Sequence, residues 1–311
     1  MRPLSIHAVF FALNETSFFT AALSSVYEAI SGATVITSYD RDRYGNHVEP
    51  EGLVELILSR AIDPERKVNL IVTNEGSEPQ ARNRAMAYAR HLSPTVTLDG
   101  EPPGLQPPDL FWHIDSDEVY DPADIAGLLA WIDAHPAKAY RMELLTYFRT
   151  WNWRIDEQGS FTALTRPDFC FGDIRNPYPN IWTRAWAKAA QLGWVPDSYA
   201  WHRTGAVMVP PEVAVCHHGS YVGSRQRVAD KVARSSHISE MSAGWMDRVW
   251  DRWTPELRDF HPTVPTRFPA AVHVATAELP PAIRDGVWPD GWIEPLRPPP
   301  NQAVGFSNRA K

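Results

Sequence analysis

Cysteine is scarce in this chain. Two residues, Cys170 and Cys216, stand among 311, too few for a disulfide framework or a zinc-ligand set. That scarcity fits a reducing compartment, and a cytoplasmic location is expected. No apolar run approaches the roughly 20 residues of a membrane span. Residues 1–13 carry one Arg and a short apolar run that Asn14-Glu15 interrupts. No small-residue cleavage pattern follows, so this start reads as a first strand rather than a signal peptide. Basic charge is not in excess: the net charge is −7 and the isoelectric point about 5.9. General attraction to nucleic acid or anionic lipid is therefore excluded, while a local basic groove stays open. There is no Gly-rich nucleotide loop near the N-terminus, no internal repeat and no low-complexity domain.

What is present suffices for a large core, with 44% hydrophobic and 22% charged residues. Up to residue 134, strands and helices alternate. Residues 5–12 form an apolar run. Phe19, Ala22, Leu23, Val26, Tyr27 and Ile30 then recur at helical spacing up to Gly32, with Asn14 as a cap. Residues 33–37 read as a second strand. It enters a polar loop holding Asp40 and Asp42, either a surface turn with internal ion pairs or a nucleotide contact. Leu53, Leu56 and Ile57 mark a helix, and 67–73 a third strand. Ser77 and Gln80 have capping-box spacing, with Pro79 in the first turn and a small-residue face of Ala81, Ala85 and Ala89. Arg82 and Asn83 lie near that helix start. A cation there opposes the macrodipole, so Arg82 calls for an anionic partner: a phosphate, or Glu75 or Glu78. After a loop of four prolines at 101–108, the alternation argues for an α/β sheet.

The stretch Leu110-Phe-Trp-His-Ile-Asp-Ser-Asp-Glu118 organises the rest. Five mostly apolar residues read as a buried strand running into Asp115, Asp117 and Glu118. Asp121 caps the next helix, Pro122 opens it, and Ile125, Leu128, Leu129 and Ile132 keep its period. Acids at the carboxyl end of a strand lie where α/β folds place ligands. Crowded carboxylates repel one another without a cation, and hard oxygen donors suit Mg²⁺ or Mn²⁺, which can hold a diphosphate in turn. A solvated turn with a helix cap is the simpler alternative.

After Pro136 the character changes. Residues 142–155 nearly alternate, with Leu145, Tyr147, Trp151 and Trp153 on one parity, as one or two strands. Thirteen Trp is high; Trp151 and Trp153 could line a sugar pocket, although packing is the usual fate of Trp. Residues 161–179 read as irregular and 181–192 as a helix. Residues 213–216 form a short strand that delivers His217 and His218. Ser224 caps a helix carrying Val228, Lys231 and Val232 that ends near Ser235-Ser-His237. From 278 onward there is no period and much proline, a tail that wraps the surface or is partly disordered.

These segments resemble known families. A strand ending in Asp-x-Asp-Glu after an Ala-Arg-Asn-x-Ala helix is similar to the nucleotide-sugar half of GT-A glycosyltransferases of the family 2 type, and so is Asn14-Glu15 before the first long helix. His218-Gly-Ser-Tyr-Val-Gly223, then Val228, Lys231 and Ser236-His237, resembles the C-terminal segment of glycosyltransferase family 17. The resemblance covers roughly residues 5–240. It implies a GT-A fold, a Rossmann-like mixed sheet flanked by helices, over residues 1–277. The donor half would run to about 135, the acceptor half from 136, and a proline-rich tail over 278–311.

The resemblance also implies roles. The activity would be metal-dependent transfer of a hexosyl or N-acetylhexosaminyl group from a nucleotide sugar, UDP-linked first, to a glycan or protein hydroxyl, with inversion. Mn²⁺ or Mg²⁺ would be held by Asp117, Asp115 and His218. Asp115 would also contact the ribose, and Asp40, Arg82, Asn83 and Lys231 the rest of the nucleotide. Glu118, Trp151, Trp153 and His237 would face substrate. An inverting reaction needs a carboxylate base; Glu143, Asp168 and Asp173 are candidates, with Asp173 preferred because it follows Gly172 in an irregular stretch. The loop at Asp40 departs from the family pattern, which leaves UDP over other nucleotides to experiment. Three other readings remain: nucleotidyl transfer on the same fold, a non-catalytic carbohydrate-binding protein, and transfer to a hydroxylated base in DNA.

Overall fold

The computed structural model describes residues 3–12, 15–37, 51–72, 78–91, 108–155, 159–167, 206–234 and 242–294. The described residues form one mixed sheet of ten strands with helices against it. Its parallel core runs β3-β2-β1-β4, where β1 is Ile6–Phe11, β2 Gly32–Thr37, β3 Val68–Val72 and β4 Leu110–Asp115. Central β1 and β2 are buried almost throughout, as continuous apolar runs covered on both faces should be. This is the flanked α/β sheet that the alternation predicts.

Helices α1 (Thr16–Val26), α2 (Glu51–Leu58), α3 (Glu78–His91) and α4 (Pro122–Ala134) link these strands. In α4 the Asp121 carboxylate accepts from Ala123 N–H at 2.9 Å, and Ile125, Leu128 and Ile132 face the core. Helix α1 is shorter than its period suggests. It passes into a 3₁₀ turn at Tyr27–Ala29, and Gly32 already belongs to β2. The cause is next door: Tyr27 Oη donates to buried Asp63 at 2.8 Å, and that carboxylate also takes the amides of Lys67 and Val68. Pinning Tyr27 there turns the chain.

The second half completes the sheet. Strand β6 (Ala139–Ile155) is a single strand of 17 residues. It pairs antiparallel with β7 (Gly159–Thr165) and parallel with β9 (Cys216–Val222). Residues 161–165 are therefore strand, not irregular: β7 bonds to both β4 and β6, so pairing on two sides overrides a weak local pattern. Likewise both histidines lie within β9, not beyond a strand ending at Cys216. Short β5 (Glu118–Val119) closes that edge against β9, and β8 (Ala206–Met208) and β10 (Ala271–His273) pair with β6. Helix α5 (Arg225–Arg234) follows β9, with Ser224 Oγ accepting from Arg227 N–H at 3.2 Å.

Arg149 adopts φ 67° beside a register shift between Thr146 and Phe148. That bulge separates two aromatic clusters. Tyr147 and Trp151 pack with Phe18, while Phe148 packs with Trp245, Trp250 and Phe260. The proline-rich segment is part of the first cluster up to Glu294, through Leu279, Ile283, Trp288 and Trp292. Short helix α6 (Pro281–Arg284) lies in it. Trp151 N–H donates to Trp292 O at 2.9 Å, and Asn152 Oδ1 accepts from Glu294 N–H at 2.8 Å. Among the described residues, no helix is long and apolar enough to cross a membrane.

Candidate functional site

Strand order fixes the place. Strands β1 and β2 run outward to β3, and the chain then returns to the other side of β1 as β4. The carboxyl ends of β1 and β4 therefore flank a switch point, where an open α/β sheet leaves a crevice for ligands. Glu15 follows β1, and Asp115, Ser116 and Asp117 follow or end β4. Ser116 Oγ donates to Glu15 Oε2 at 3.1 Å, which ties the two strand ends together.

Asp115 is 38% exposed at its side chain and is ion-paired with Arg82 of α3. Arg82 thus finds its anion within the acidic cluster. Asn83 is partly buried on the next position of the same helix. Asp117 is buried, at 2% exposure, and three groups face it: Lys231 in an ion pair, Arg227 at 3.6 Å and His218 Nε2 at 3.8 Å. Burial alone would raise its pKa, but the charges of Lys231 and Arg227, joined by His218 once that ring is protonated, outweigh burial and hold the carboxyl below the usual range. Gly219 N–H donates to Asp117 O at 2.8 Å and fixes the backbone.

Glu118 differs from its neighbours. It sits opposite His218 in the β5–β9 ladder, and its Oε2 accepts from Asp115 N–H at 3.0 Å. Burial, with Asp115 repelling it, pushes its pKa well above the ordinary glutamate value. Buried and bonded to the Asp115 amide, it braces the turn from inside and presents no open face to a substrate. His218 faces the acids, while His217 points to the other side and its Nδ1 is hydrogen-bonded with Tyr147 Oη at 2.8 Å. Burial lowers the His218 pKa to about 4, against the pull of Asp117, so its ring is neutral at pH 7.

One expected substrate contact needs correction. Trp151 is fully buried between Phe18, Tyr147 and Trp288, so it is a core residue with no face for a sugar. Trp153 packs edge-on against Trp253 and His273. It lies seven residues along β6 from Thr146, the partner of His218, or about 20 Å at the usual strand rise. It is not at the donor end. Asp40, Asp173 and His237 lie outside the described residues.

Sequence reading passed over Arg227 and placed Glu15 only by resemblance. Arg227 Nη2 meets Glu15 Oε1 at 2.8 Å. The signal for Arg227 was its spacing: it stands one helical turn before Lys231, on the same face of α5.

Could these residues hold a divalent cation? Among the described residues no three His, Cys, Asp or Glu converge into a complete cage. Mg²⁺ and Mn²⁺ sites on diphosphates do not require one, because one or two protein ligands plus phosphate and water suffice. Asp117 Oδ1 and His218 Nε2 meet that need. Their 3.8 Å separation is too long for a hydrogen bond. The ring's other nitrogen, Nδ1, is buried with no hydrogen-bond partner among the described residues. In the tautomer with its proton on Nδ1, the neutral ring presents an Nε2 lone pair on the side of Asp117, where a cation could take both groups. The residues fit the ion.

No family model matches the chain, and no curated protein matches it. Solved structures do. The chain is similar to S. aureus TarS 1–349 in complex with UDP-GlcNAc, with 16% identity, TM-score 0.30, and coverage of 50% of this chain and 36% of that one. The same TarS fragment with UDP matches at 11% identity and TM-score 0.38, covering 75% of this chain and 67% of that one. GalNAc-T7 with UDP, GalNAc and Mn²⁺ matches at 12% identity and TM-score 0.41, over 75% and 48%. The chain thus spans little more than a third of the first of these. At such distances the likeness carries no residue role.

Proposed function

We propose that this chain is a GT-A-type glycosyltransferase that takes a nucleotide-diphosphate sugar, UDP-linked first, with Mn²⁺ or Mg²⁺. One observation carries the reading: Glu15, Asp115, Asp117, His218, Arg82, Arg227 and Lys231 converge on the switch point between β1 and β4. Among the described residues, each of the three cations there already faces a carboxylate. A docked diphosphate therefore needs further positive charge, and Asp117 with His218 is where a divalent ion would bring it. When bound, that ion neutralises the charge growing on the leaving nucleoside diphosphate.

The chain's own groups then divide the work. Asp117 and His218 hold the ion. Asp115, braced by Arg82, faces the ribose side. Lys231, whose side chain is 34% exposed, can swing from Asp117 to a phosphate oxygen. Asp173 is the proposed base that takes the acceptor proton, Asp40 a nucleotide contact and His237 an acceptor contact. Burial of Trp151 removes one of the tryptophans that the rival carbohydrate-binding reading would use as a platform.

The test is release of UDP from UDP-sugars at graded Mn²⁺ concentrations. Wild-type protein is expected to release UDP only with metal. His218→Ala should need at least tenfold more Mn²⁺ for half-maximal release, as loss of a metal contact does. Equal release by both proteins at every Mn²⁺ concentration would return His218 to a structural role.

A further inference from the structure

The geometry points to Glu15 and Arg227 as a clamp of positioning residues that fixes the Asp115–Asp117 turn; its functional consequence rests on the donor-site reading above. Arg227 is the hub. Its Nη1 donates to Val222 O at 2.7 Å, Ser220 O at 3.2 Å and Gly219 O at 3.3 Å. Its Nη2 meets Glu15 at 2.8 Å, and the guanidinium lies over the Phe18 ring at 4.0 Å. The side chain is only 11% exposed. A planar fork that stacks on a ring while serving several acceptors is a task for Arg and not for Lys.

The carbonyl bonds alone would make Arg227 a stitch between α5 and the end of β9. The Glu15 branch does more. One carboxylate oxygen takes Arg227 and the other takes the Ser116 hydroxyl, and Ser116 stands between the two aspartates. From the other side, Gly219, whose carbonyl Arg227 holds, donates its N–H to Asp117 O. The acidic turn is thus gripped from β1 and from β9 by one buried guanidinium and one carboxylate. Neither residue needs to touch the donor.

The two functions of Arg227 can be separated, because removing Glu15 leaves the carbonyl bonds in place. Hydrogen exchange followed by mass spectrometry on the full chain gives the local readout, in wild type, Glu15→Ala, Glu15→Gln and Arg227→Lys. Half-saturating Mn²⁺ in UDP release gives the functional one. Glu15→Ala is expected to speed exchange at residues 116–119 and Gly219 while leaving β1 to β3 unchanged. It should also raise the Mn²⁺ requirement about 10–100-fold, the usual cost of losing a supporting partner. Glu15→Gln, which keeps an acceptor for the Ser116 hydroxyl but loses the charge paired with Arg227, should recover only part of both effects, and Arg227→Lys should recover neither. Unchanged exchange in the acidic turn of Glu15→Ala, or an equal rise across the whole sheet, overturns the clamp. Wild type that releases no UDP from any donor would sink the donor reading instead, and the exchange comparison would still decide the clamp.

Discussion

Acidification from pH 7 to pH 5, in EDTA, is expected to lower the unfolding free energy by several kcal/mol. Four imidazoles, three buried and one half-buried, cause it. Burial lowers the pKa of His7 to about 4; burial and nearby Arg154 lower that of His217 to about 3; burial lowers that of His218 to about 4. His113 lies well below its ordinary value through burial and the Arg82 charge. In the unfolded chain each ring takes a proton near pH 6.5, but in the fold His7, His217 and His218 take one only at about pH 4 or lower, and His113 only well below its ordinary value. Stability is therefore fully present above pH 6.5 and is lost as pH falls toward 4, by up to about 1.4 kcal/mol per pH unit for each ring.

Glu118 acts in the opposite sense. Its folded pKa is raised, so it favours the fold as pH falls toward 4.5. Asp124, raised less, acts in the same sense as Glu118, and four rings against two carboxyls leave the histidines dominant. With a total stability of roughly 5–15 kcal/mol, a loss of this size is a large part of the whole. Chemical denaturation at pH 7, 6 and 5 checks it. A midpoint constant across that range would mean that these rings are open to solvent or already charged in the fold.

Replacing Asp117 is expected to have the largest effect on activity. Asp117→Ala should cut UDP release about 100-fold or more, the scale on which a single electrostatic partner of a transition state acts. The stability cost should be smaller, about 1–3 kcal/mol. Lys231 is a third exposed and can turn to water, and Arg227 keeps Glu15 and its carbonyls. Asp117→Asn separates charge from shape: it retains the side-chain volume and should be nearly as inactive. Kinetics paired with a denaturation curve distinguish the two effects. Full metal-dependent release by the Ala variant would end the assignment of Asp117 to the ion.

The N-terminal half was legible because its strands are buried on both faces and its helices on one, so burial and period coincide. Asp115 and Asp117 were legible for the same reason: a run as apolar as 110–114 can only be a strand, and the acids must stand at its end. The glycine spacing after His218 also has a physical reading. Gly223 adopts φ +115° against Trp292, and a Cβ on Gly219 would meet the Phe18 and Trp151 rings at 2.5–2.8 Å. Where pairing rather than pattern decides, the sequence misled. Strand β9 carries Cys-His-His-Gly-Ser-Tyr-Val with no alternation, and only its neighbours β5 and β6 make it a strand. The segment around Leu279 and Ile283 has no period because it packs as short turns and the four-residue α6, too brief to repeat, around Phe18 and Trp151. Trp151 looked like a sugar platform because alternation marks a face without telling which face is covered. For Arg227 the spacing to Lys231 marks the helix face but not the partners, which are backbone carbonyls and a residue 212 positions away.

The most direct test is thermal denaturation of the wild-type chain with UDP-, GDP- and dTDP-sugars, each in Mn²⁺ and in EDTA. A donor at about 100 times its Kd adds about 2.7 kcal/mol, or roughly 5 °C for a chain of this size. The account predicts such a rise with a UDP-sugar and Mn²⁺ together, and none in EDTA. No shift with any donor, with or without metal, would mean that Asp115 and Asp117 form a self-neutralised turn and that the switch point holds no nucleotide sugar.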